Sequence, residues 1–182
     1  MPAKRRVRPL DEFVAYRNPQ VVNRFLRHWI LPRREAERVF ADLMRYLWLI
    51  GQPGCGDVAP VAIVDEMWHM FLVFTEEYQR WSEHSLGYFL HHRPRTAAQQ
   101  RDTLAAVKRS PRGAREAVER GLVADIAIVA DKLGDATALR WYVLYESRYG
   151  KRFFNTRRRP RAGRSVKFPK ELVRQAEAAS DL

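Results

Sequence analysis

Cysteine is nearly absent from this chain of 182 residues: Cys55 stands alone. A single thiol excludes an internal disulfide and any zinc site built on cysteine clusters. Flanked by Gly54 and Gly56 with no basic neighbour, Cys55 reads as an unreactive thiol. No run of about 18 apolar residues occurs, so no membrane-spanning helix is expected. The basic start Met1-Pro2-Ala3-Lys4-Arg5-Arg6 is not followed by the apolar stretch of a signal peptide, and a cytoplasmic protein is expected. Glycine is scarce, with 9 residues. Three of these fall in Gly51-Gln52-Pro53-Gly54-Cys55-Gly56-Asp57, where no Gly-Lys-Ser/Thr follows to make a phosphate loop, so the segment reads as a turn. Convincing strand alternation is also missing, as is any internal repeat.

Basic charge is abundant, but it is unevenly placed. The formal net charge is +12. Residues 1–10 contribute +4 and residues 151–182 contribute +7, which leaves +1 for residues 11–150. The expected organisation is therefore a basic N-terminal tail (1–10), an all-helical domain (11–150) and a basic C-terminal tail (151–182) with a possible short helix at Phe168 to Ala179. Basic tails grip phosphate polymers through counterion release without reading sequence. Arg5, Arg6, Arg157, Arg158, Arg159 and Arg161 are the candidate nonspecific nucleic-acid contacts. Solvated ends that only keep the chain soluble are the plainer alternative.

Helical spacing runs almost throughout. Val21, Val22, Phe25, Leu26 and Trp29 recur at i, i+3/i+4 between Pro19 and Pro32. Arg33 to Ile50 carries a broad apolar face. Further helices are expected from Pro60 to about Glu83, Ala97 to Arg109, Ala114 to Leu133 and Ala136 to Tyr149. The fold class is all-α, a single-domain bundle of about six helices with basic, partly disordered termini.

The chemistry concentrates in two segments, Val64-Asp65-Glu66-Met67-Trp68-His69 and Gly87-Tyr88-Phe89-Leu90-His91-His92-Arg93-Pro94. They hold three of the five histidines. Asp65 and His69 lie one helical turn apart, so their side chains can meet. On a single helix from 60 to 83, Glu76 would extend their stripe beside the Trp68–Leu72 edge. A third ligand from the loop, His91 or His92, would complete two histidines and one carboxylate. That composition is found in non-haem iron sites and catalytic zinc sites. Zn²⁺ or Fe²⁺ is the expected ion, with Trp68 and Tyr78 walling the pocket. Glu66-Met67-Trp68-His69 has the Glu-x-x-His spacing of di-iron bundles, but no second copy exists to complete that site. Two alternatives stand beside the metal. Asp65 and His69 could form a structural hydrogen bond in an interaction module for a protein or nucleic acid, or could perform metal-free acid–base chemistry. His28, near the end of its helix, reads as a surface residue.

Asp65-x-x-Trp68-His69, Tyr78, Gly87 and His91-His92-x-Pro94 together resemble the helical region of plant and fungal glycine-rich-domain proteins. They resemble more closely the short bacterial proteins given the glycine-rich-domain name. The resemblance implies a mostly helical fold with no established reaction. It links plant members to stress and development, and some of these carry RNA-binding segments without counterpart here. Two positions depart from the pattern. Phe71 stands where many relatives have a second histidine, and Trp81-Ser82 stand where bacterial relatives have a cysteine.

Overall fold

The computed structural model describes residues 7–93, 96–159, 169–171 and 174. Among these there is no strand, only one isolated antiparallel bridge between Trp29 and Arg158. Nine helices lie wholly among the described residues: α1 (Leu10–Ala15), α2 (Pro19–His28), α3 (Arg33–Ile50), α4 (Ala62–Leu72), α5 (Thr75–Leu86), α6 (Ala97–Arg109), α7 (Pro111–Leu133), α8 (residues 135–148) and α9 (Lys151–Thr156). No described helix is long and apolar enough to cross a membrane. The all-α class holds, but the count is nine where about six were expected. Short α1 and α9 escaped detection because six residues are too few to show a periodicity.

α3 is the axis of the fold. It packs against α1, α2, α4 and α7, and Ala36, Val39, Phe40, Leu43, Met44 and Leu47 are buried along it. Local signals set its neighbours. Asn18 caps α2 by accepting from the backbone N–H groups of Gln20 and Val21, with Pro19 at the first helical position. Thr96 and Gln99 form a reciprocal capping box at the start of α6. Gly134, at φ +84°, separates α7 from α8.

The expected single helix from Pro60 to Glu83 is two helices. The chain leaves helical geometry at Phe74, with φ −89° and ψ 65°. Packing explains the break. Phe71 and Tyr78 are seven residues apart, a rise of about 10.5 Å on a straight helix, yet their ring centroids lie 5.1 Å apart. Trp81 joins the same cluster at 5.5 Å from Phe71. Only a corner brings all three rings together, and the buried aromatic area favours it over an unbroken backbone ladder.

α8 begins as an α-helix at Asp135–Leu139, widens to a π-helix over Arg140–Tyr145 and ends in the turn Glu146–Arg148. The chain on both sides of the 11–150 core also packs. Val7 lies against the core, and the backbone N–H of Arg8 donates to the Ser85 carbonyl at 3.0 Å. Phe153 of α9 is buried and stacks on Trp29, centroids 5.6 Å apart. Of the possible helix from Phe168 to Ala179, most residues lie outside the described ones, as do residues 1–6.

Candidate functional site

α4 and the segment after α5 build the site together. Gly87 ends α5 in the left-handed region at φ +76°, where a side chain would be strained. The chain then reverses and runs back over α5 toward α4. Two side chains of α5 pin it. The Ser82 hydroxyl donates to the Tyr88 carbonyl at 2.7 Å and accepts from the Leu90 N–H at 2.8 Å. The Tyr78 hydroxyl donates to the Leu90 carbonyl at 2.8 Å and accepts from Trp68 Nε1–H at 3.1 Å. Trp68 and Tyr78 thus hold the loop in register beside Asp65 and His69.

Beyond Leu90 the two histidines part. His92 turns inward, its ring 4.5 Å from that of Trp68 and 4.6 Å from that of His69. His91 is exposed and lies against Phe89, centroids 4.8 Å apart. Successive side chains of an extended segment point to opposite sides, so one member of the pair faces the site and the other leaves it. Glu76 stands exposed in the first turn of α5. It does not extend the Asp65–His69 stripe, because the corner at Phe74 puts it on a different helix.

Asp65 is the hub. His92 Nε2–H donates to its Oδ1 at 3.1 Å. His69 Nδ1–H donates to the Asp65 main-chain carbonyl at 2.8 Å, with the carboxylate Oδ2 at 3.4 Å. The expected His69–Asp65 contact therefore runs chiefly to the backbone. That bond selects the His69 tautomer with its proton on Nδ1, leaving the Nε2 lone pair open. One ligand atom from each of Asp65, His69 and His92 lies within 4.8 Å of the others. Two donors on one tetrahedral zinc stand about 3.4 Å apart. The Asp65–His92 distance of 3.1 Å is close to that spacing, and an ion there would take the place of the Nε2 proton that now joins the pair.

The site is wet on one side and dry on the other. His69 keeps 44% of its side chain exposed and His92 only 15%. Behind Trp68 lies Tyr46, ring centroids 5.8 Å apart. Burial, and then the nearby Asp65 charge, push the Tyr46 phenol well above the usual tyrosine range. Burial likewise raises Tyr78, against the lowering effect of the Trp68 hydrogen bond. Neither phenol is poised to give up a proton at neutral pH. Sequence reading missed Tyr46, since a tyrosine on the apolar arc of α3 looks like core.

A second polar cluster was also missed. Asp42 has no exposed surface. Arg140 grips it with two bonds, Nε to Oδ2 at 2.8 Å and Nη2 to Oδ1 at 2.7 Å. The Tyr145 hydroxyl donates to Oδ2 at 2.6 Å and Arg45 Nη1 to Oδ1 at 3.0 Å. The widened turn of the π-segment carries both Arg140 and Tyr145. A signal was present: on a helical wheel Asp42 falls between Leu49 and Tyr46, inside the apolar arc of α3. Cys55 is buried, consistent with an inert thiol. His28 is half-buried and bonded to the Arg24 carbonyl at 3.0 Å.

Of the candidate nucleic-acid contacts, Arg157, Arg158 and Arg159 are described and exposed, while Arg5, Arg6 and Arg161 lie outside the described residues. The three form a strap along the end of α2. The Ile30 N–H donates to the Arg157 carbonyl at 2.8 Å, and the Arg159 N–H to the His28 carbonyl at 2.7 Å.

No curated protein and no solved structure matched the chain. A family model does match, over residues 6–117, and its description is UCP032817-like. This corrects the resemblance to glycine-rich-domain proteins. That likeness rested on eight positions between Asp65 and Pro94, whereas the family match runs from the N-terminal docking segment into α7. It takes in both halves of the site, Asp65 and His69 on α4 and His92 on the returning loop. On that span, more than half of its length, the protein belongs to the UCP032817-like family.

Proposed function

We propose that Asp65, His69 and His92 hold a single divalent metal ion, Zn²⁺ or Fe²⁺, at the edge of the helical body. The observation that carries this reading is the approach of three donors from two segments to within 4.8 Å, on a loop fixed by Ser82 and Tyr78. Two imidazoles and a carboxylate suit either ion. The Nδ1–H of His69 bonded to a main-chain carbonyl is the outer support that metal-bound histidines use. Three protein ligands leave coordination positions open, and the exposed flank at His69 lets water or a small ligand reach them. Such an ion would act as a Lewis acid or as a binding point for an anionic group.

With no ion at all, His69 donates to the Asp65 main-chain carbonyl and His92 to its carboxylate, so hydrogen bonds alone join the trio. The trio would then be a clasp closing the loop onto α4 in an interaction module. Thermal melts separate the two. An ion at 100 times its dissociation constant stabilises the folded state by about 2.7 kcal/mol. The metal site predicts that rise for the unmodified chain with Zn²⁺ or Fe²⁺, and its loss in His92→Ala. A clasp predicts that His92→Ala melts earlier and that added metal shifts neither protein.

A further inference from the structure

We propose that Arg148, Lys151, Arg152 and Arg157 form an anion pocket that grips the phosphodiester backbone of a nucleic acid. These four side chains, with Ser147 and Thr156, line a cleft of about 600 Å³ at the junction of α8 and α9. Among the described residues no carboxylate lines it. From Arg148 to Arg159 the chain carries six basic residues and no acidic one. Arg148 is paired with Glu35, whose Oε1 is 3.8 Å from Arg148 Nη1. Glu35 also accepts from the Tyr149 hydroxyl at 2.7 Å, so it neutralises one cation only in part.

The cations hang from a fixed backbone. Phe153 anchors α9 on Trp29, and the strap of Arg157 to Arg159 is bonded to residues 28 and 30. The Arg158 guanidinium sits 6.0 Å from the centroid of the Trp29 ring. Gathering four cations around one cleft is unfavourable unless an anion neutralises them. A fixed cluster gains from each bound phosphate through counterion release. The basic character also continues past the cleft, through Arg158 and Arg159, which favours a repeating polyanion over a lone phosphate. The cleft is concave, and it takes phosphates one after another along a chain. It lies beyond the residues matched by the family model, and it is independent of the Asp65–His69–His92 trio.

The test uses the full chain and fluorescently labelled 20-nucleotide RNA and DNA strands, with anisotropy read across a salt series. Arg148→Gln/Lys151→Gln/Arg152→Gln removes three exposed cations without touching the core. It should weaken binding by tenfold or more and lower the slope of log K against log salt by about 2, at roughly 0.7 per neutralised phosphate of a single strand. Arg161→Gln/Arg164→Gln/Lys167→Gln removes the same charge from the chain beyond and should weaken binding less. Equal losses in the two triple variants would overturn the pocket, as would unchanged binding in the first. Displacement of the strand by tripolyphosphate at equal total phosphate would overturn the assignment to nucleic acid. Equal metal response in all three proteins is expected, so failure here leaves the trio's reading untouched.

Discussion

Asp42 shows what one residue can hold. Its carboxylate is fully buried and receives four donors, from Arg45, Arg140 and Tyr145. The bonds from Arg140 and Tyr145 span 98 and 103 residues and tie α8 to α3. Removing one partner of a buried pair leaves the other charge uncompensated, which costs about 3–5 kcal/mol. Arg140 keeps 22% of its side chain exposed and Arg45 27%, so solvent relieves part of the penalty. Asp42→Ala is expected to lose about 3 kcal/mol in urea unfolding, the low end of that range. Tyr145→Phe removes one hydrogen bond and should lose about 1–2 kcal/mol. Equal losses would mean that the charge pairing contributes little. At the site, His91 and His92 were indistinguishable in sequence. Which one turns inward depends on how Ser82 and Tyr78 register the loop, a contact no local pattern reveals.

Among the elements, the Gly87–Arg93 loop and the α4–α5 corner decide the site. Where capping and periodicity agreed, the sequence was legible: α2 starts at Pro19, and α3 spans Arg33 to Ile50 as its apolar repeat indicated. The corner at Phe74 was not legible, because the residues around it keep helical spacing and the break comes from ring packing between distant turns. Tyr78 now has a defined task. Tyr78→Phe leaves the loop without its bond to the Leu90 carbonyl and Trp68 Nε1–H without an acceptor. The melt should fall by an amount corresponding to about 1–3 kcal/mol. Loss of an outer-shell support should also weaken metal binding by about 10- to 100-fold. Weaker binding with an unchanged melt would place Tyr78 in the site alone. A lower melt with unchanged metal affinity would make it purely structural.

Across the whole molecule, aromatic burial leaves a titration signature. Burial is the first cause of raised phenols at Tyr16, Tyr46, Tyr78, Tyr142, Tyr145 and Tyr149. Tyr142 is pushed up to about 12. A raised folded-state value means that the unfolded chain loses its protons first as pH climbs. The contribution is complete below about pH 10, the unfolded value, and is lost as pH rises from there toward the folded values. Tyrosinate absorbance and helical circular dichroism should therefore change together in one steep alkaline step. Gradual ionisation near pH 10 with the helices intact would contradict the burial described. The helical class and the two segments of the site were legible at this scale, since both rest on short-range patterns. The family was not, because a handful of shared positions on two helices and one loop resembles more than one lineage. The central claim remains the ion. Metal analysis of the full chain purified without a histidine tag, beside Asp65→Ala, His69→Ala and His92→Ala, tests it most directly. The account predicts about one equivalent of zinc or iron in the unmodified protein and less than about 0.2 in each variant, since all three donors are needed. Less than about 0.2 in the unmodified protein after exposure to both metals, or full occupancy retained by the variants, would contradict it.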